Sequence, residues 1–228
     1  MTELRDLPEA WPVHDTETLE TRSGPFSVRR DVLSHPDSPE ERFGRLVVDH
    51  PGAVVVLAVD DWERAFVLRQ YRHPAQARLV ELPAGLLDEP GEEPEQAARR
   101  ELREEALLVA RRWTHLLTTY SSPGFSSETI AYYVAEELSA APDRGGFEPA
   151  HEESDMDSGW APMSELLAGV LAGRLRDGPL AQAVMAHALL RGRTRLDPEP
   201  GPRPPGIHSP EPSPGDGDAQ AKEGDPRR

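Results

Sequence analysis

Three glutamates stand about a helical turn apart in Gln96-Ala-Ala-Arg-Arg-Glu-Leu-Arg-Glu-Glu-Ala-Leu-Leu108: Glu101, Glu104 and Glu105. Positions three and four apart share one side of a helix, so this spacing predicts three convergent carboxylates. Like charges so placed cost a few tenths of a kcal/mol per pair, and Arg100, four residues before Glu104, offsets part of that. The opposite stripe, Ala98, Leu102 and Ala106, is apolar and predicts a face packed on a core. Carboxylates fixed to a packed helix are hard oxygen donors suited to Mg²⁺ or Mn²⁺. A glutamate-rich helix taken alone also reads as a solvated acidic face, so the surrounding pattern has to decide.

The elements that position these residues follow from periodicity and punctuation. A helix is predicted from about Pro94 to Leu107, with Pro94 in a favoured first-turn position and Glu92, Glu93 and Glu95 complementing the helix dipole. Ala53–Val59 is a β-branched run between Pro51-Gly52 and Asp60-Asp61, which predicts a buried strand. Residues 65–72 read as its hairpin partner, and further strands are predicted at 79–82, 113–120 and 130–136. A second helix is expected behind Ser164 as N-cap, and a third from about Pro179. Strands interrupted by helices indicate a layered α/β or α+β domain.

The whole chain sets limits on partners. It has 228 residues, 41 acidic against 25 basic side chains, and a formal charge of −16. Such a surface repels nucleic-acid phosphates and anionic lipid, so neither is expected as a partner. There is no cysteine, which removes disulfides and thiolate chemistry and fits a cytoplasmic setting. Lys222 is the only lysine; the other basic residues are arginines, a bias that GC-rich codon usage explains. The acidic N-terminus has no signal-peptide pattern, and the longest apolar run is far below the roughly 20 residues that span a bilayer. From Pro198 onward the chain holds 9 of its 24 prolines and 5 of its 18 glycines with almost nothing apolar. That composition predicts a disordered tail at 198–228. With a flexible N-terminus at 1–14, it leaves one folded domain at 15–197.

Gly85, Glu92, Arg100, Glu101, Leu102, Glu104, Glu105 and Leu108 together resemble the signature of the Nudix hydrolases, which split nucleoside diphosphates linked to another group. Seven residues separate Glu92 from Arg100, as in that signature. The stretch from Gly85 to Glu92 is one residue longer than usual, and Leu107 stands where the signature has glycine. That place often needs a left-handed backbone, so Leu107 bears on the helix exit more than on the chemistry. Leu79-Val-Glu-Leu-Pro-Ala-Gly85, Arg69-Gln-Tyr-Arg72, Ser121-Ser-Pro-Gly-Phe-Ser-Ser-Glu128 and His151-Glu-Glu-Ser-Asp-Met156 are similar to the ADP-ribose pyrophosphatase branch.

The resemblance implies an α/β/α sandwich with a mixed sheet and a catalytic loop-helix-loop, assembled as a homodimer with exchanged N-terminal segments. It implies divalent-metal-dependent hydrolysis of ADP-ribose to AMP and ribose 5-phosphate. The metal, Mg²⁺ or Mn²⁺, would be held by the Ala84 carbonyl, Glu101 and Glu105, with Glu104 as a further candidate. Arg45, Arg72, Leu86, Ser122, Pro123, Gly124 and Glu128 match substrate-binding positions. Glu153 or Glu152 matches the general base. Arg72 could also simply pair with Glu81, and Ser122-Pro-Gly could be only a tight turn. Another nucleoside diphosphate sugar such as GDP-mannose, or a non-catalytic ADP-ribose-sensing module, remain the alternative functions.

Overall fold

A computed structural model describes residues 5–20, 25–148 and 155–192. The chain divides into two units, Met1–Leu196 and Asp197–Arg228, and everything described belongs to the first. The tail at 198–228 therefore lies outside the described residues. The strands are β1 (Val13–Glu20), β2 (Ser27–His35), β3 (Ser38–Asp49), β4 (Ala53–Ala58), β5 (Arg64–Arg72), β6 (Ala77–Glu81), β7 (Ala84–Leu86), β8 (Leu108–Tyr120), β9 (Thr129–Ala140) and β10 (Asp157–Pro162). The helices are α1 (Pro94–Ala106), α2 (Met163–Leu171) and α3 (Gly178–Arg191). Among the described residues no helix is long and apolar enough to cross a membrane.

Strand β4 organises the domain because both of its faces are buried. Val55 and Leu57, with Val59 just beyond the strand, pack with Met163 and Leu166 of α2 and with Leu180, Ala183 and Val184 of α3. Val54, Val56 and Ala58 pack with Ala97, Ala98, Leu102 and Ala106 of α1. Alternating side chains on β5 and β9 divide between the same two clusters, as period-two geometry requires. Each valine or leucine fully buried this way contributes roughly 1.5–3 kcal/mol, which is why a run without polar relief occupies the centre.

The sheet order β7-β4-β9-β8 is mixed: β4 runs parallel to β9, and the other two pairings are antiparallel. A second sheet, β10-β5-β6, is antiparallel throughout. With α1 on one side and α2 and α3 on the other, the layers form the mixed α/β sandwich expected from the sequence. The β4–β5 turn is set by Asp60, whose Oδ1 accepts from the Trp62 and Arg64 backbone N–H groups at 3.0 and 2.9 Å.

A third sheet, β1-β2-β3, uses residues for which no strand was expected. It begins at Val13, within the stretch read as flexible, and the preceding Trp11 ring packs edge-on against His35 at 4.7 Å. This sheet joins the rest through β3, where the Val48 N–H donates to the Phe125 carbonyl (2.8 Å) and the Ser127 N–H to the Val48 carbonyl (3.0 Å).

Helix α2 corrects one expectation. Ser164 is not its N-cap; the helix starts at Met163 directly after Pro162. Strand β10 runs into the helix without a loop, and the Met163 N–H is satisfied by the Glu63 carbonyl at 3.0 Å. No side-chain cap is therefore needed at that donor.

Candidate active site

Helix α1 is fixed at both ends. Its N-cap Glu93 forms a reciprocal box with Gln96, whose Oε1 accepts from the Glu93 N–H at 3.0 Å, and Pro94 occupies the first turn. At the other end Leu107 adopts the left-handed conformation (φ 53°, ψ 38°), and its N–H closes the last turn on the Arg103 carbonyl at 3.1 Å. A leucine pays about 1–2 kcal/mol for a geometry that glycine adopts freely. The loop after β9 covers this exit: Arg144 donates to the Glu104 carbonyl, Arg103 pairs with Asp143, and the Ala141 N–H donates to the Leu107 carbonyl at 2.8 Å.

The helix buries one charged residue among its alanines and Leu102. Glu101 is 8% exposed, and burial pushes its carboxyl up to about 7. Arg100 opposes that shift, while Glu104 and Glu92 reinforce it. Arg100 is the hub of the cluster. Its Nη1 reaches Glu101 Oε1 at 2.5 Å and Glu104 Oε2 at 3.3 Å. Its Nε and Nη2 hold the two Glu92 oxygens at 3.1 and 3.0 Å, and Nη2 also donates to the Leu86 carbonyl at 3.4 Å. One guanidinium thus serves three carboxylates, and the neighbourhood keeps an excess of negative charge.

Two backbone features bring strand β7 against this cluster. Glu105 Oε2 accepts from the Ala84 N–H at 2.9 Å. Gly85 lies so close to Glu101 that a Cβ there would sit 1.9 Å from Oε1. The missing side chain is what lets the Glu101 carboxylate lie against the β7 backbone. Among the described residues no three His, Asp or Glu side chains form a ready-made cation cage. The donor set is instead two glutamates of α1 beside the Ala84–Gly85 backbone: hard oxygens, one carboxylate raised by burial, and surplus negative charge. That chemistry fits a divalent cation.

The other expected site residues are distributed as follows. Arg72 closes β5, and its guanidinium grips Glu81 at the end of β6, with Nη2 to Oε2 at 2.7 Å. The carboxylates of Asp177, at the N-cap of α3, and Glu105 reinforce its charge. Leu86 ends β7 opposite Ala53. Ser122 closes a tight turn, its carbonyl accepting from the Phe125 and Ser126 N–H groups at 3.1 and 3.0 Å, with Pro123 and Gly124 exposed at the tip. Glu128 has an oxygen 3.7 Å from His50 Nε2. Arg45 stays with its own sheet, donating to the Gly44 carbonyl at 3.0 Å and stacking over Phe43 at 4.5 Å. Glu152 and Glu153 lie outside the described residues.

Sequence reasoning missed Asp177. Its carboxylate accepts from the Leu180 N–H at 2.7 Å, and burial pushes it up to about 6, with Glu81 adding to the shift and Arg72 opposing it. Asp-Gly-Pro at 177–179 signals a helix cap, but nothing local signals that the cap is buried beside an Arg–Glu pair. His50 was missed as well. Its Nδ1 accepts from the Gly52 N–H at 3.1 Å, so Nε2 carries the proton on the side of Glu128.

The NUDIX domain family matches residues 49–183. The chain is 40% identical over 184 residues to a protein of Mycobacterium tuberculosis named ADP-ribose pyrophosphatase, covering 78% of this chain and 86% of that one. It is 46% identical over 100 residues to the ADP-ribose pyrophosphatase of Bacillus subtilis, covering 44% and 54%. A solved structure described as an ADP compounds hydrolase superposes with a TM-score of 0.66 at 22% identity, covering 84% of this chain and all of that one. That last likeness concerns the fold.

Proposed function

Because the chain belongs to the NUDIX family, we propose that it hydrolyses the pyrophosphate bond of ADP-ribose, releasing AMP and ribose 5-phosphate. One observation carries the reading: Glu101 and Glu105 of α1 meet the Ala84–Gly85 backbone in a cluster of excess negative charge. The substrate choice is supported by the names of the two relatives described above.

The Ala84 carbonyl, Glu101 and Glu105 would hold Mg²⁺ or Mn²⁺, with Glu104 beside them. A bound divalent ion supplies charge neutralisation and Lewis-acid polarisation of the phosphates. Arg100 holds Glu101 and Glu104 in place and keeps Glu92 as a brace. Arg72 offers its guanidinium to the phosphate oxygens, and Leu86, Ser122, Pro123, Gly124 and Glu128 line the pocket for the nucleoside and ribose. Glu153, or its neighbour Glu152, takes a proton from the attacking water. Arg45 contributes in a homodimer, where an exchanged β1–β3 sheet would carry it to the partner's site. Support for that assembly is the apolar surface that Trp11, Val13, Leu19 and Leu46 leave exposed. The cysteine-free composition is compatible with the cytoplasm, where we place the enzyme.

Incubation of the full chain with ADP-ribose and Mg²⁺, with and without chelator, tests the reading by AMP release. Metal-dependent AMP formation is expected; a chain that leaves ADP-ribose intact at saturating metal is not this enzyme.

A further inference from the structure

Arg72 is half-exposed, yet its guanidinium is held from below. Nε donates to both Glu81 oxygens at 2.9 and 3.2 Å, and Nη2 donates to Oε2 at 2.7 Å. Glu81 is 6% exposed. A carboxylate withdrawn from water needs a matched cation, and Arg72 supplies it. The ladder register pairs Glu81 with Leu68 and Ala77 with Arg72, so Gln70, Arg72 and Glu81 share one face of the β5–β6 ribbon.

Neutralisation alone is a poor account of this arrangement. An apolar pair of similar volume would usually serve packing as well or better. A bidentate contact, in contrast, fixes the plane of the guanidinium as well as its place. The contact uses the Nε–Nη2 edge. Among the described residues the Nη1 donors form no hydrogen bond, and the group lies in the field of Glu105, one of the candidate metal ligands.

We infer that Glu81 is a positioning residue for Arg72: by gripping one edge of the guanidinium it presets the other edge to meet the pyrophosphate oxygens of the substrate. The inference rests on the proposed role of Arg72 and extends it to a buried acid whose own charge would repel a diphosphate. Preset donors bind without the cost of ordering a long side chain.

The test is ADP-ribose affinity measured by calorimetry in metal-free buffer with chelator, where no turnover interferes. Glu81→Gln keeps the shape but loses the two-oxygen grip, and weakens binding about tenfold. In an Arg72→Ala background the same change alters affinity less than twofold, because nothing remains to orient. Arg72→Ala leaves Glu81 buried without its cation, so Arg72→Lys provides a second route that keeps the charge. It is expected to bind about as weakly as Glu81→Gln, since an ammonium has no fork. With Mg²⁺ present, Glu81→Gln raises KM and changes kcat less than about threefold, a split that a general packing defect does not produce. The inference is overturned if Glu81→Gln or Arg72→Lys binds like the wild type, or if the Glu81 effect recurs in full without Arg72. It is equally overturned if the wild type binds no better than the arginine variants. Absence of AMP formation alongside the expected affinity pattern would instead remove the proposed reaction and leave the positioning role standing.

Discussion

Helices α1 and α3 begin alike and diverge from there. Each opens with an acidic N-cap, Glu93 or Asp177, and a proline in its first turn. Each buries one ionisable side chain in the layer it covers, Glu101 on α1 and His187 on α3. On α3 the neighbours Leu180, Ala183 and Val184 are apolar, His187 Nε2 has no hydrogen-bond partner among the described residues, and burial holds the imidazole below its ordinary value. The helix ends on Gly192 at an ordinary φ of −74°. On α1 the buried group is ringed by Arg100, Glu104 and Glu92, faces a glycine notch, and sits two turns before a leucine with φ of 53°. One helix departs from local preference once, in a way that disturbs only itself. The other departs several times, and the departures share one neighbourhood, which is the pattern expected of a site rather than of a scaffold.

Carboxylate chemistry gives the largest expected contrast between the two helices. Glu101→Gln and Glu105→Gln should each lower kcat for AMP release by about 100-fold or more. Leu189→Gln, on the exposed side of α3, should leave kcat within twofold. Comparable losses on both helices would break the contrast.

The glycine notch follows. Gly85→Ala should weaken Mg²⁺ binding by about 10–100-fold, because the new methyl displaces the Glu101 carboxylate. At Gly178, the start of α3, a Cβ meets nothing within 4 Å, so Gly178→Ala should leave metal affinity unchanged in the same titration.

The two buried ionisable groups should bend the pH–stability curve in opposite directions. Glu101 is raised from 4.5 to about 7 in the fold, so the native state binds the extra proton between those values. Its contribution is complete below about 4.5 and is lost as the pH rises through about 7. Metal-free Glu101→Gln should therefore be more stable than the wild type at pH 8, by up to roughly 3 kcal/mol at ~1.4 kcal/mol per pH unit, with little difference near pH 4.5. His187 is lowered, so its penalty appears as the pH falls below about 6.5, and His187→Leu should flatten the acid limb. Thermal denaturation across pH 4.5–8 with chelator reads both effects.

The helix exits give the smallest contrast. Leu107→Gly should stabilise the fold by about 1 kcal/mol by removing the left-handed leucine. Gly192→Ala should stay within about 0.5 kcal/mol. Both are measured by urea midpoint.

How much of this was legible depends on whether the signal is local. Helix α1 and strands β4, β5 and β9 were readable because their apolar positions repeat with the period of their own element. Pro94 marked the helix start through its first-turn preference, and Leu107 the exit through its place in the Nudix signature. The β1–β3 sheet was not readable: Val13-His-Asp-Thr-Glu-Thr-Leu-Glu20 has little apolar alternation, and most of β3 is exposed. Such strands persist through pairing with each other rather than through burial of a side-chain face. Strand β10 escaped notice because Gly159 and Pro162 weaken its sequence signal, while its pairing with β5 along 157–162 is a long-range contact. At the site, the α1 carboxylates were visible through helical spacing. The Arg72–Glu81 pair stood among the sequence readings of Arg72 and is present, whereas the notch at Gly85 and the burial of Asp177 depend on segments that meet only after folding.

Strand β4 presents every side chain from Val54 to Ala58 to one packed layer or the other. A substitution there cannot be absorbed by solvent: loosening Val54 or Val56 would reach α1, and loosening Val55 would reach α2 and α3. Tolerance of substitution is therefore unequal across the molecule: greater at the solvent-exposed positions of β3, and close to nil along five consecutive residues of β4.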